Sequence, residues 1–133
     1  MVTEHYREST EYAQIGENLI RDTDSLKWML TLQTRVGYVE SSRQKKIDNK
    51  LVFGECIKVE ELQQVFCPYD FLIVIYAPNV RHMTEEQKRI LLHHELLHCG
   101  FNTTKKGISY KVNAHDFEDF REIIFNHGLE WAR

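Results

Sequence analysis

The stretch ILLHHELLHCG, residues 90–100, places three histidines and one glutamate in a run that is otherwise almost entirely apolar. Thr84, followed by Glu86 and Gln87, predicts a helix N-terminus, and Gly100 predicts a stop after Cys99. The leucines cover most of the helix circumference, so we expect this helix to be largely buried. Burying imidazoles and a carboxylate without partners costs several kcal/mol, which indicates that a partner is present.

His94, Glu95 and His98 form the motif H-E-x-x-H. Helical positions four apart differ by only about 40° around the axis, so both imidazoles point to the same side. This arrangement suits two ligands of one tetrahedral zinc ion, while Glu95 can reach a water on that ion as a general base. His93 is rotated by about 100°, and we expect it to be partly exposed or hydrogen-bonded instead of a ligand.

A catalytic zinc ion needs a third protein ligand and one open position. His115 comes 17 residues after His98, which leaves room for a turn, a short strand and a return. It stands at the start of the predicted last helix and is the favoured third ligand. Asp116 and Glu118 are the carboxylate alternatives.

Outward from this helix, the pattern predicts an α+β fold with a short, mostly antiparallel sheet. DFLIVIYA is a continuous apolar run and therefore predicts a central strand. The basic loop RQKKIDNK, turning at Asp48 and Asn49, is expected to join two strands as a hairpin. The predicted strands are 34–42, 51–59, 70–77 and 108–112, and the other predicted helices are 9–22, 24–30, 60–66 and 116–128.

Composition favours a single soluble domain spanning residues 1–133. The net charge of −3 argues against nucleic acid or an acidic membrane as the main partner. The start of the chain has no signal-peptide pattern, and no apolar run approaches the roughly 18 residues that span a bilayer. Three widely spaced cysteines without a C-x-x-C motif suit a reducing cytoplasm.

The segments LLHHELLHCG and YKVNAHDFEDFREIIFNHGLEW resemble the putative phage metallopeptidase family. The similarity extends over roughly residues 10–131, and the spacing of His115 is also similar to the core of SprT-like proteases. The resemblance implies a zincin-like, minigluzincin-type domain encoded by a phage and acting in the bacterial cytoplasm. It further implies that His94, His98 and His115 bind one zinc ion and that Glu95 is the general base.

The leading interpretation is therefore a zinc metallopeptidase that acts on a peptide or protein substrate. Segment 51–59 is the candidate edge strand for an extended substrate, because 70–77 is too apolar for an edge. Tyr110 is a candidate oxyanion donor, although packing is the more common role of such a residue.

Two alternatives compete with this interpretation. A deformylase-like hydrolase would use Cys56 as a metal ligand, although packing in the core is the more common role of such a cysteine. A non-catalytic, metal-stabilised binding protein would close the coordination sphere with Cys99, Asp116 or Glu118, since structural sites usually have four protein ligands.

Overall fold

Helices and strands are mixed along the chain, which confirms the α+β class; the computed structural model describes residues 5–114. The predicted helix 116–128 and residues His115, Asp116, Glu118 and His127 lie outside this range. No helix within residues 5–114 is long and apolar enough to cross a membrane. The elements in chain order are β1 (Tyr6–Glu8), α1 (Thr10–Asp22), α2 (Trp28–Thr31), β2 (Val36–Ser41), β3 (Lys46–Ile47), β4 (Lys50–Leu51), β5 (Gly54–Lys58), β6 (Phe71–Tyr76), α3 (Ala77–Val80), α4 (Glu85–Leu97), β7 (Cys99–Thr104) and β8 (Gly107–Val112).

The main sheet has four strands in the order β1-β2-β6-β5. β6 pairs in parallel with β2 and antiparallel with β5, so its apolar residues are central, as predicted. Phe71, Ile73 and Ile75 are completely buried. Within the described chain β5 is an edge strand, which agrees with the prediction for 51–59.

The expected hairpin between 34–42 and 51–59 is wrong. β6 lies between β2 and β5, because an apolar strand is best buried when it is paired along both edges. The loop instead forms a small hairpin of its own, β3–β4, in which Ile47 pairs with Lys50. Asp48 and Asn49 have φ of 51° and 66°, the left-handed conformation that two-residue hairpin turns require.

Helix α1 packs across β2 and against α4. Its N-terminus is capped by Ser9, whose side chain accepts a hydrogen bond from the Tyr12 amide, and it buries Tyr12, Leu19 and Ile20. Lys88 on α4 lies 3.6 Å from a carboxylate oxygen of Glu11. The two longest described helices therefore pack against each other, with α1 in contact with β2 and α4 in contact with β5.

Helix α4 starts as predicted, with a complete capping box between Thr84 and Gln87, but it ends at Leu97. After Leu97 the chain leaves the helix and enters β7 at Cys99, and Asn113 binds this junction. The side-chain amide of Asn113 donates to the carbonyls of Leu97 and Cys99. A Cβ on Gly100 would lie 2.4 Å from Oδ1 of Asn113. Gly100 therefore makes room for Asn113 within β7 and is not the helix stop that the sequence suggested.

Two shorter predicted helices are reduced in the structure. Segment 24–30 splits into a 3-10 turn and α2, and 60–66 retains only the 3-10 turn Gln63–Val65. β8 corresponds to the predicted strand 108–112 and pairs with β7, which the sequence did not predict. The β7–β8 hairpin matters for the site, because it returns the chain to the end of α4.

Candidate functional site

The H-E-x-x-H residues form a compact cluster near the C-terminal end of α4. His94, Glu95 and His98 each offer one ligand atom, and these atoms all lie within 4.8 Å of one another. The imidazole rings of His94 and His98 are 5.3 Å apart at an interplanar angle of 67°. Glu95 is buried, whereas the two histidines are half-buried. Residues one turn apart therefore share a face, as the motif predicts.

Asn113 orients His98. The Nδ1 atom of His98 lies 2.6 Å from the carbonyl oxygen of Asn113, and since a carbonyl only accepts, Nδ1 carries the proton. The lone pair of the neutral ring is then on Nε2. A backbone carbonyl that fixes the tautomer in this way is typical of histidines that bind metals. Sequence analysis missed Asn113, because only the β7–β8 hairpin brings it to the helix end.

Edge strand β5 runs directly beside Glu95. A Cβ on Gly54 would lie 3.3 Å from Cγ of Glu95 and 3.1 Å from the carbonyl oxygen of Val74. The absence of a side chain at Gly54 lets the strand approach the carboxylate closely. The general-base candidate is thus buried between its own helix and the start of the edge strand.

A cavity of about 280 Å³ opens over the cluster. It is lined by Gly54, Glu55, Cys56, His94, Glu95, His98 and Val112. A larger cavity of about 570 Å³ lies between α1, β2 and the segment before β6. The smaller cavity is the better candidate for a metal site, because its lining includes two histidines as well as two glutamates. The ionisable lining residues of the larger cavity are two glutamates, two tyrosines and Cys67, with no histidine among them.

Cys56 does not complete the cluster. Its Sγ atom lies 3.6 Å from Sγ of Cys99, and within residues 5–114 the group of mutually close ligand atoms comprises His94, Glu95 and His98 only. Burial, and then contact with Cys56, raises the pKa of the Cys99 thiol well above its ordinary value. The geometry therefore supports neither Cys56 as a deformylase-like ligand nor Cys99 as a closing fourth ligand.

Three other residues, Tyr110, His93 and His82, are not part of the group of close ligand atoms in the described chain. The hydroxyl of Tyr110 is 3.0 Å from Oγ1 of Thr34, and its ring packs edge-on against Phe71, which gives this residue a packing role. His93 is 6% exposed, so the expected partial exposure is wrong, while the other expectation, a hydrogen-bonded histidine, stays a prediction. His82 is exposed.

The residues present fit a metal ion. Two imidazoles at i and i+4, one with its tautomer fixed for Nε2 coordination, form half of a tetrahedral nitrogen and oxygen donor set of the kind that zinc prefers. The favoured third ligand, His115, lies outside the described residues, as do Asp116 and Glu118.

A family model described as "Putative phage metallopeptidase" matches residues 4–133, which is nearly the whole chain. No curated protein and no solved structure is significantly similar to this chain. The matched residues include the H-E-x-x-H helix, the residues that line the cavity beside it and the segment that carries His115. The chain therefore belongs to the putative phage metallopeptidase family.

Proposed function

We propose that this protein is a zinc-dependent, zincin-like metallopeptidase that hydrolyses peptide bonds in the cavity over α4. The observation that carries the proposal is the cluster of His94, Glu95 and His98, with ligand atoms within 4.8 Å, open to a cavity beside an edge strand. Family membership supports the same reaction class. The three free cysteines of the described chain are compatible with work in the cytoplasm of a bacterial host.

His94 and His98 would hold the metal ion, with His115 as the third ligand. Asn113 supports this assignment, because its carbonyl oxygen lies 2.6 Å from His98 and two further residues of chain can span up to about 7 Å. His115 is therefore within reach of the site. The same argument leaves Asp116 and Glu118 as alternatives that substitution can separate.

A zinc ion bound there supplies Lewis acidity, which activates water and polarises the carbonyl group of the scissile bond. The chain supplies the proton transfers. Glu95 accepts a proton from the attacking water and donates it to the nitrogen of the leaving group. Its burial beside Gly54 limits the positions that the carboxylate can adopt, so the proton acceptor is held in place before the substrate arrives.

The substrate would bind as an extended chain along β5. In the described chain the outer edge of this strand is unpaired, and Gly54, Glu55 and Cys56 of β5 line the cavity. A peptide that adds to this edge passes directly over the cluster. A peptide or protein is thus the substrate class, and cleavage would occur in an extended segment.

Metal content tests the proposal first. The purified full chain should hold about one zinc ion, and His94→Ala and His98→Ala should each lose it, because a catalytic zinc site has only three protein ligands and each variant removes one of them. His82→Ala is the matched control, since His82 is exposed and lies outside the cluster. Full zinc occupancy in His94→Ala would refute the metal site.

The third ligand is tested by His115→Ala, Asp116→Ala and Glu118→Ala under the same conditions. We expect zinc loss in His115→Ala alone. A His115→Ala protein that retains zinc, together with loss of zinc in Glu118→Ala or Asp116→Ala, would reassign the ligand without affecting the peptidase proposal.

Hydrolysis of dye-labelled, denatured casein, abolished by a chelator and restored by added zinc, tests the reaction itself.

A further inference from the structure

The hairpin beside the cavity concentrates positive charge. Residues 43–51, here called the basic hairpin, contain four basic residues and one acidic residue, a net charge of +3, whereas the whole chain has −3. The basic residues are Arg43, Lys45, Lys46 and Lys50. A local field of opposite sign to the rest of the chain can select a partner by charge.

Three of these four cations are available to a partner. Lys45 forms an ion pair with Glu55 and lies 5.6 Å from the ring centre of Tyr76. Arg43, Lys46 and Lys50 are exposed, and within residues 5–114 none of them lies within ion-pair distance of a carboxylate. Arg43 also lies over the ring of Tyr6, which has no formal charge, so the net charge of the hairpin is unchanged by this contact.

The base of the basic hairpin is fixed to the body of the protein. Asn79 is 1% exposed, and its side-chain amide donates to the carbonyl of Lys45 at 2.9 Å and to that of Val52 at 2.8 Å. The amide of Val52 also donates to the carbonyl of Lys45, which closes the base. The charges are therefore presented on a supported element rather than on a free loop.

The basic hairpin adjoins the candidate active site. β5 begins three residues after β4, and Glu55, which pairs with Lys45, also lines the cavity over His94 and His98. A peptide bound along β5 would therefore continue towards the hairpin. The position suits contact with a part of the substrate next to the scissile bond.

Exposed aliphatic side chains indicate the kind of partner. Ile47 is 54% exposed and Leu51 is 42% exposed, and across the hairpin they pair with Lys50 and Lys46. Residues 42–52 contain no aromatic side chain on which nucleic acid bases could stack. Cations interleaved with aliphatic groups complement a protein segment in which acidic and apolar residues alternate.

We propose that the basic hairpin is a second binding site for substrate, which selects proteins with an acidic, aliphatic segment next to the cleaved bond. This inference rests on the proposed peptidase function and names the substrate class of that same site. Arg43, Lys46 and Lys50 attract the acidic side chains, and Ile47 and Leu51 contact the apolar ones. The site acts on substrate binding and leaves the proton transfers to Glu95.

Binding of labelled peptides to the zinc-loaded full chain with Glu95→Gln tests the proposal without cleavage. The probes are a peptide of Glu-Leu-Ser repeats, a neutral peptide of Gln-Leu-Ser repeats, and a poly-dT oligonucleotide. We expect the acidic peptide to bind most tightly, with an affinity that falls as salt is added. Equal affinity for the acidic and neutral peptides, or tighter binding of poly-dT, would overturn the proposal.

Charge reversal locates the binding site. Lys46→Glu with Lys50→Glu should weaken the acidic peptide by about tenfold, the scale expected when two exposed ion pairs become repulsive. The matched control, Lys105→Glu with Lys106→Glu, changes the same charge on the exposed β7–β8 turn and should bind like the parent. Equal weakening in both variants would reduce the effect to net charge and overturn the proposal.

A cleavage readout separates the two proposals. In the otherwise wild-type chain, the variant Lys46→Glu with Lys50→Glu should lower kcat/KM more for a cleavable peptide extended with Glu-Leu-Ser than for one extended with Gln-Leu-Ser. If cleavage persists and this preference is missing, the second binding site is wrong and the peptidase stands. If the acidic peptide binds selectively but no peptide is cleaved, the peptidase fails on its own.

Discussion

Asn79 offers a sharp test of how the hairpin and edge strand are held beside the site. Its side-chain amide donates two hydrogen bonds, to the carbonyls of Lys45 and Val52, while its Oδ1 atom is buried without a hydrogen-bond partner in the described chain. Asn79→Ala removes both donated bonds, about 1 kcal/mol each. It also removes the buried, unpaired oxygen, which offsets part of that loss. We therefore expect a net destabilisation of about 1–2 kcal/mol.

Asn79→Asp keeps the shape and reverses the electrostatics. A carboxylate would face two carbonyl oxygens in a buried place, and we expect a loss of about 3–5 kcal/mol at neutral pH. Protonation restores one donor, so the folded-state pKa of the new carboxyl must lie above its unfolded value. The variant should then be least unstable in acid and should lose stability as the pH rises through that folded-state pKa.

Urea unfolding, followed by far-UV circular dichroism at neutral and mildly acid pH, measures these differences. A chelator in every sample removes the contribution of metal binding to stability. Asn102→Asp is the control, because Asn102 is exposed on β7 and should change the free energy of unfolding by less than about 0.5 kcal/mol. Equal stability of Asn79→Asp and Asn79→Ala at neutral pH would refute this account of Asn79.

Three further predictions concern the helices around the site. Leu92 on α4 is completely buried, so Leu92→Ala should lower the free energy of unfolding by about 2–5 kcal/mol. The control is Leu30→Ala, which should change the free energy of unfolding very little because Leu30 is exposed. Similar losses in the two variants would contradict the packing described. Thr84→Ala removes the capping box and should cost about 1 kcal/mol in the same assay, and no measurable loss would argue against the cap. Burial raises the pKa of Tyr12 to about 12. The contribution of Tyr12 to stability should therefore be constant below pH 10 and be lost as the pH rises towards about 12. Tyr12→Phe should flatten this alkaline decline in the free energy of unfolding, and an unchanged decline would contradict the prediction.

Local sequence signals predicted helix α1, the start of helix α4 and the central strand β6. The capping box at Thr84 and the continuous apolar run of β6 are encoded within a few residues, so periodicity and capping rules identify them. The shared face of His94 and His98 follows from helical geometry alone. These features needed no knowledge of how distant parts of the chain meet.

The pairing of segments that are distant in the chain could not be predicted from local sequence patterns. Parallel pairing of β2 with β6 depends on which strand fills the sheet centre, and no local pattern in residues 34–42 encodes that choice. The early end of α4 depends on Asn113, which binds Leu97 and Cys99 only because the β7–β8 hairpin folds back. The role of Asn113 towards His98 arises from the same contact and could not be found from spacing.

Glu95 provides the most direct test of the central claim, that this cluster is a hydrolytic centre with a carboxylate base. The measurement is kcat/KM for casein hydrolysis by zinc-loaded Glu95→Gln, relative to wild type at equal metal occupancy. Because glutamine preserves the shape and cannot accept the proton, we predict a loss of about 10²–10⁴-fold with zinc retained. A zinc-loaded Glu95→Gln protein that cleaves casein at the wild-type rate would contradict the account.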